Sequence, residues 1–144
     1  MKQEVTKLRI LTRDWLLGIT GMAALIGTRC YYVWPAVKPT YPFLSYTMSR
    51  RPATSYTGFA WSSKLRISIV GEIGAGEIDQ VERLIVNDIA DDATWPAPLT
   101  NASVLCQMCA FVGASEDTPI DFVGESNLYV VQRDLSFDMT FTGL

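Results

Sequence analysis

Apolar and polar residues alternate most strictly near the middle of the chain, where Leu65, Ile67 and Ile69 fall between Lys64, Arg66 and Ser68. A period of two belongs to a strand with one face on a core and the other on water or a neighbour. The same period returns at the end, where Leu135, Phe137, Met139 and Phe141 alternate with Asp134, Ser136, Asp138 and Thr140. Elsewhere the period lengthens. Val5, Leu8, Leu11 and Trp15 recur at helical spacing, with Lys7, Arg9, Arg13 and Asp14 between them, which predicts an amphipathic first helix ended by Gly18. Thr20 can then cap a short second helix, "GMAALIG", which stops at Gly27. Ile78, Val81, Ile85 and Ile89 form the stripe of a third helix over about residues 76–91. Glu77, Asp79 and Glu82 place negative charge near the positive end of its dipole.

The intervening segments carry weaker signals. A short strand is expected at 29–34, a stiff connection through Pro35 and Pro39, and a second strand from Phe43 to Ser49. Residues 50–60 read as a polar loop, Pro96 and Pro98 as a linker, 103–112 as a strand, and "GASEDTPIDFVGESN" as another polar connection. Strands outnumber helices and follow one another through hairpin-like loops. The fold expected is α+β, a mainly antiparallel sheet with two main helices packed on one face, in a single domain over residues 1–144. Loops as long as 50–60 and 113–127 are unusual at this size and tend to be functional or disordered.

The stretch "SIVGEIGAGEIDQVERLI", with three glycines between strand and helix, invites a phosphate-loop reading. Gly71, Gly74 and Gly76 give G-x-x-G-x-G, the reverse of the dinucleotide fingerprint, and no Gly-Lys-Ser/Thr follows. Glu72, Glu77 and Asp79 also occupy the helix start that a phosphate would need. The stretch reads as a strand-to-helix joint.

Composition narrows the chemistry. The chain is 49% hydrophobic and only 19% charged, against roughly 25% charged in typical soluble domains. A surface poor in charge suits a protein that hides part of it in an assembly. A net charge of −3 gives no global attraction to nucleic acid. The chain has no His, which excludes Ser-His and Cys-His nucleophiles and removes the commonest metal ligand. Cys30, Cys106 and Cys109 are an odd number, which argues against a fully paired disulfide framework and fits a reducing compartment. Cys106 and Cys109 lie three apart on an expected strand, so they should face opposite sides and bind no common ion. The apolar run Trp15 to Ile26 is too short to span a bilayer, and Asp14, Gly18 and Gly21 spoil it as a signal peptide. Asp91, Asp92, Glu116, Asp117 and Asp121 are available for acid/base work, but nothing selects a pair, and loop carboxylates are usually solvated.

One basic and aromatic cluster stands out: Arg50, Arg51, Tyr56, Phe59 and Trp61. Arg with aromatics is the composition of an interface anchor. The plainer reading, a hairpin tip whose aromatics fold back on the sheet, stays open beside it.

Four segments in order, "MAALIGTRCYYVWP", "PTYPFLSYTMS", "SSKLRISIVGE" and "GEIDQVERLIVNDIAD", resemble the tail-terminator or tail-completion proteins of long-tailed bacteriophages. The similarity is strongest from about residue 5 to 92 and rests on order and spacing. It implies a structural virion protein of the head-proximal end of the tail, assembled in the host cytoplasm. Such a subunit forms a homo-oligomeric ring, usually a hexamer, that sits on the major tail tube protein, ends its polymerisation and meets the head–tail connector or stopper protein. The resemblance implies no catalytic residues, cofactor, metal or membrane. A head–tail joining or neck component is the neighbouring reading, and a small carboxylate-dependent hydrolase the reading from another class. Six copies at −3 each would carry −18, and an acidic lumen would let DNA pass without specific binding.

Overall fold

The computed structural model describes residues 2–35, 39–49, 51–52, 60–72, 74, 76–90, 95–100, 104–120 and 130–143. In chain order the elements are α1 (Lys2–Gly18), α2 (Met22–Ile26), β1 (Cys30–Tyr32), β2 (Phe43–Met48), β3 (Arg51–Pro52), β4 (Ala60–Glu72), α3 (Glu77–Ile89), a 3-10 turn (Ala97–Leu99), β5 (Val104–Ala114), β6 (Thr118–Pro119) and β7 (Val130–Gly143). One sheet runs β1-β2-β4-β7-β5, with β3 added on β4 and β6 on β7. Among the described residues only β1 and β2 run parallel, and every other pairing is antiparallel. The expected α+β class, with its mainly antiparallel sheet, is therefore the class found.

The two alternating segments are the two central strands. They pair from Ala60 opposite Thr142 to Glu72 opposite Val130. Their apolar positions, Leu65, Ile67, Ile69, Leu135, Phe137, Met139 and Phe141, are buried in one cluster. Against this face lie Leu8, Trp15 and Leu16 of α1, Met22 and Ile26 of α2, and Ile78, Val81 and Ile85 of α3. Each such side chain removed from water contributes roughly 1.5–3 kcal/mol before entropy is counted. The helices cover one face only, and the other face keeps the polar half of each strand.

Two side-chain ties fix the helices over the core. Trp15 Nε1 on α1 donates to Asp88 Oδ2 on α3 at 2.6 Å. Its ring lies 4.5 Å from that of Trp95, whose own Nε1 donates to the Cys109 carbonyl on β5 at 2.7 Å. At the other end of α3, Arg133 of β7 donates to Asp79 at 2.6 Å and to Glu82 at 2.7 Å. The same guanidinium reaches Asp117 through Nε at 2.7 Å and through a second nitrogen at 3.0 Å. These bonds, to Asp117 first, hold the Arg133 pKa above the ordinary arginine range. The acidic first turn of α3 thus serves as an anchor to the sheet.

The three glycines divide the work of the strand-to-helix joint. Gly74 and Gly76 hold φ of 85° and 74°, the left-handed region that glycine enters without a Cβ clash. A Cβ on Gly71 would lie 3.0 Å from Ile78 Cγ1, so this position lets α3 close onto β4. The joint reading holds.

Two local expectations are corrected. Thr20 does not cap α2: Gly21 is the N-cap, at φ 91°, and makes no side-chain cap bond. Met22 N–H instead bonds the Ile19 carbonyl at 3.0 Å, so a glycine turn redirects the chain where a hydroxyl cap was expected. Cys106 and Cys109 do not face opposite sides. A bulge between Cys106 and Met108 inserts one residue, leaving Cys106 opposite Phe141 and Cys109 opposite Met139 on the same buried face. Both are free thiols, and the described residues hold no group of three or more metal-ligating side chains. No described helix is long and apolar enough to cross a membrane.

Replacing Arg133 with Met should cost about 1–2 kcal/mol in urea unfolding, less than a fully buried pair because the partners are partly in water. The difference should shrink in 1 M salt; unchanged stability would contradict the anchor. Burial pushes the thiols up, Cys30 to about 12 and Cys106 to about 11, with Cys109 raised further. An acid kept neutral by folding stabilises fully below its unfolded pKa, and that stability is lost as pH rises through the window up to the folded values. Stability should therefore fall by roughly 1.4 kcal/mol per pH unit for each thiol above pH ~9. Iodoacetamide at pH 8 should modify none of the three until the protein unfolds.

Candidate interaction surfaces

The polar positions of β4 and β7 lie side by side on the face the helices leave open. Lys64 is opposite Asp138, Arg66 opposite Ser136, and Ser68 opposite Asp134. Ser68 Oγ donates to Asp134 Oδ1 at 2.7 Å, and Gln132 Nε2 donates to the same oxygen at 2.8 Å. These bonds lock a polar stripe across the middle strands. Beside the bulge in β5 a depression of about 330 Å³ is lined by Ser62, Ser63, Lys64, Met108, Asp138, Met139 and Thr140. Towards the far end of the strands the same face carries a small buried cluster, Phe43, Val70 and Val130, covered by Tyr31, Tyr41 and Ile120.

Exposed apolar side chains gather at the two edges of the sheet. At the β5 edge Leu105, Met108, Phe111 and Val112 are exposed, Val112 at 63%. Part of this strand's backbone is already occupied, because Cys106 N–H donates to Thr100 Oγ1 and the Cys109 carbonyl accepts from Trp95. At the β1 edge Tyr32, Val33, Trp34 and Ile10 of α1 are exposed. The Arg9 guanidinium lies 4.3 Å above the Tyr32 ring. Tyr32 stands edge-on to Tyr46 at 5.4 Å, and Trp34 edge-on to Phe43 at 5.6 Å. Arg9, Ile10, Arg13, Asp14, Tyr32 and Tyr46 line a groove of about 310 Å³ between α1 and this edge. Val33 has φ 70°, a left-handed conformation uncommon for a β-branched residue. Its N–H is held by the Tyr46 carbonyl at 2.8 Å, and its carbonyl accepts from the Ser45 hydroxyl.

Of the five residues singled out in the sequence, Arg50, Tyr56 and Phe59 lie outside the described residues. The backbone brings the other two together: in the β3–β4 ladder Arg51 is opposite Ser62 and Pro52 opposite Trp61. Sequence reasoning missed both edges. "CYYVW" and "LCQMCAFV" read as ordinary strands, and only the sheet order reveals that they are the outermost ones. Among the loop carboxylates, Glu116 is exposed and Asp117 is tied to Arg133, while Asp91, Asp92 and Asp121 lie outside the described residues.

No family model matches the sequence, and no curated protein matches it. Solved structures share the fold. A chain of the "Virion of native gene transfer agent (GTA) particle" is similar with a TM-score of 0.63 at 16% identity, covering 94% of this chain and 92% of that one. A second solved structure is similar with a TM-score of 0.52 at 13% identity, covering 100% of this chain and 96% of that one.

Proposed function

We propose that the protein is a structural component of a phage or phage-like particle, a ring-forming subunit that caps the tail tube, ends its growth and offers a surface to the head connector. The observation that carries this reading is the end-to-end fold likeness to a chain of a gene transfer agent virion. Three features support it. The chain combines low charge with exposed apolar residues at both sheet edges, as a subunit with two lateral neighbours requires. Its sequence resembles tail-terminator proteins in the order of its segments. The carboxylates Asp117, Asp79 and Glu82 are all spent on the one guanidinium of Arg133.

If neighbours meet through the sheet edges, one sheet face turns to the channel and the helices turn outward. The open face suits the channel wall. Its Lys64 and Arg66 are balanced by Asp134 and Asp138, among hydroxyls and an amide. Such a wall neither grips nor strongly repels DNA, which differs from an acid-lined lumen but serves the same passage without specific binding.

Purified protein imaged by negative stain and weighed by native mass spectrometry should form a ring with a central channel. Added to growing tail tubes, it should shorten and narrow their length distribution; a monomer that leaves tube length unchanged would contradict the reading. A ring with α1 and α3 facing the channel would contradict the wall assignment alone. The loop residues carry a separate expectation. Replacing Arg50, Arg51 and Phe59 together with Ala should impair attachment to tube or connector with the melting transition unchanged, since exposed loops contribute little to stability. Normal attachment of that variant would remove the loop from the interface.

A further inference from the structure

We infer that segment 115–120 is a strap that closes over the amino-terminal edge of β7 and opens as one unit, its latch being the Arg133 guanidinium, which gives up Asp117 and keeps Asp79 and Glu82. This goes beyond the ring reading and does not depend on it.

Main-chain groups along a strand point alternately to its two neighbours. On β7 the even positions face away from β4. The Val130 carbonyl accepts from Ile120 N–H at 3.1 Å, and the Asp134 carbonyl accepts from Ser115 N–H at 2.8 Å. Asp134 N–H in turn donates to Ser115 Oγ at 3.0 Å. Strand β5 covers this edge only as far as Leu135, opposite Ala114. Beyond it β6 takes over, with Thr118 opposite Gln132 and Pro119 opposite Val131. The strap therefore lies on what would otherwise be the bare end of a strand, Val130 to Asp134. By the same alternation Pro119 turns its main chain outward, where the missing N–H leaves a blunted outer edge.

Little apolar burial holds the strap in place. Every residue from Ser115 to Pro119 is exposed, and Ile120 packs on the cluster of Phe43, Val70 and Val130. The remaining ties are polar. Asp117 meets Arg133 in a two-pronged pair, 2.7 Å at Nε and 3.0 Å at a second nitrogen. Charge-assisted pairs of this geometry are the strong ones. This carboxylate is 39% exposed, however, so water competes for it. A segment with few buried contacts and solvent-exposed hydrogen bonds lies at the low end of local stability.

The guanidinium itself makes release inexpensive. Its third nitrogen is shared by Asp79 at 2.6 Å and Glu82 at 2.7 Å. Arg133 is 17% exposed, and a cation stranded at such a place without an anion would be costly. It is not stranded when Asp117 leaves, because both carboxylates of α3 stay on it. Three carboxylates around one cation also leave an excess of negative charge, and departure of Asp117 relieves their repulsion. The hub thus holds α3 firmly and the strap loosely. Opening bares the main chain of Val130, Gln132 and Asp134 and the side of the small cluster that Ile120 covers, while the α3 anchor stays in place.

Amide hydrogen exchange of the full chain, read residue by residue, tests the latch. Ser115, Ile120 and Asp134 should share one protection factor that hardly changes in low urea, because opening exposes little surface. The Arg133 amide faces β4 and should exchange only with global unfolding. In Asp117→Asn the three strap amides should lose protection about tenfold together, with the melting transition unchanged. D79N/E82Q should do the opposite. With Asp117 the last carboxylate on Arg133, opening strands the cation, so the three amides should gain protection even though α3 is held less firmly. A strap that is only a passive piece of the fold would lose protection in both variants. Equal protection of Asp134 and Arg133 in the wild type, an unequal response of the three amides to D117N, or lost protection in D79N/E82Q would each overturn the latch. Should either variant fail to fold, T118C/Q132C joins the strap to β7 across a facing pair. Its oxidised form should raise the three amides to the protection of Arg133, and reduction should lower them again. Exchange that is the same in both forms overturns the latch.

Discussion

The register between β4 and β7 is the constraint on which the rest of the structure depends. These strands pair over their whole length, from Ala60 opposite Thr142 to Glu72 opposite Val130. Side chains alternate with a period of two, so a slip of one residue would send Leu65, Ile67, Ile69, Leu135, Phe137, Met139 and Phe141 to the open face. The polar half of each strand would go to the helices. Holding this register creates an apolar face that must be covered and a polar face that need not be. Helices α1, α2 and α3 supply the cover, and Arg133, reaching from β7 to Asp79 and Glu82, ties the third to the strand it lies over.

From that asymmetry the proposed assembly surfaces follow. With one face closed by helices and the other kept polar, large exposed apolar residues remain chiefly at the sheet's two ends, on β5 and beside β1. An isolated subunit gains nothing from this arrangement. A subunit with a neighbour on each side buries both strips while its faces stay separate, one turned outward and one towards a channel. The same division leaves structural work to residues that the sequence offered for chemistry. The glycine stretch is occupied by turning the chain and by admitting Ile78 close to Gly71. The cysteines are buried behind the helices, where their thiols are held neutral by desolvation.

Much of this was legible in the sequence because periodicity reports burial directly. The stripes that define α1, α3, β4 and β7 survive into the structure, as does the glycine joint. What stayed hidden depends on neighbours. Whether "LCQMCAFV" is a central or an edge strand is decided by which strand β7 joins, which no local pattern states. The bulge after Cys106 shifts the strand by one residue and reverses the face expected for Cys109; a local rule of alternation has no means to foresee it. The small cluster of Phe43, Val70 and Val130 arises because β2 and β4 bury one end of the otherwise polar face, so those positions break the pattern for a tertiary reason. Of the basic and aromatic loop, only the backbone of Arg51 and Trp61 is placed, and it brings them to the same short ladder.

In the proposed assembly the edges of the sheet are contact surfaces and its open face is not. Amide hydrogen exchange in dilute protein and in the assembled oligomer tests this most directly. Assembly should slow exchange in Tyr31–Trp34 and in Val104–Ala114, while the middle of β4 and β7 exchanges at the same rate in both states. Protection that appears across the open face, with the two edges unchanged, would contradict it.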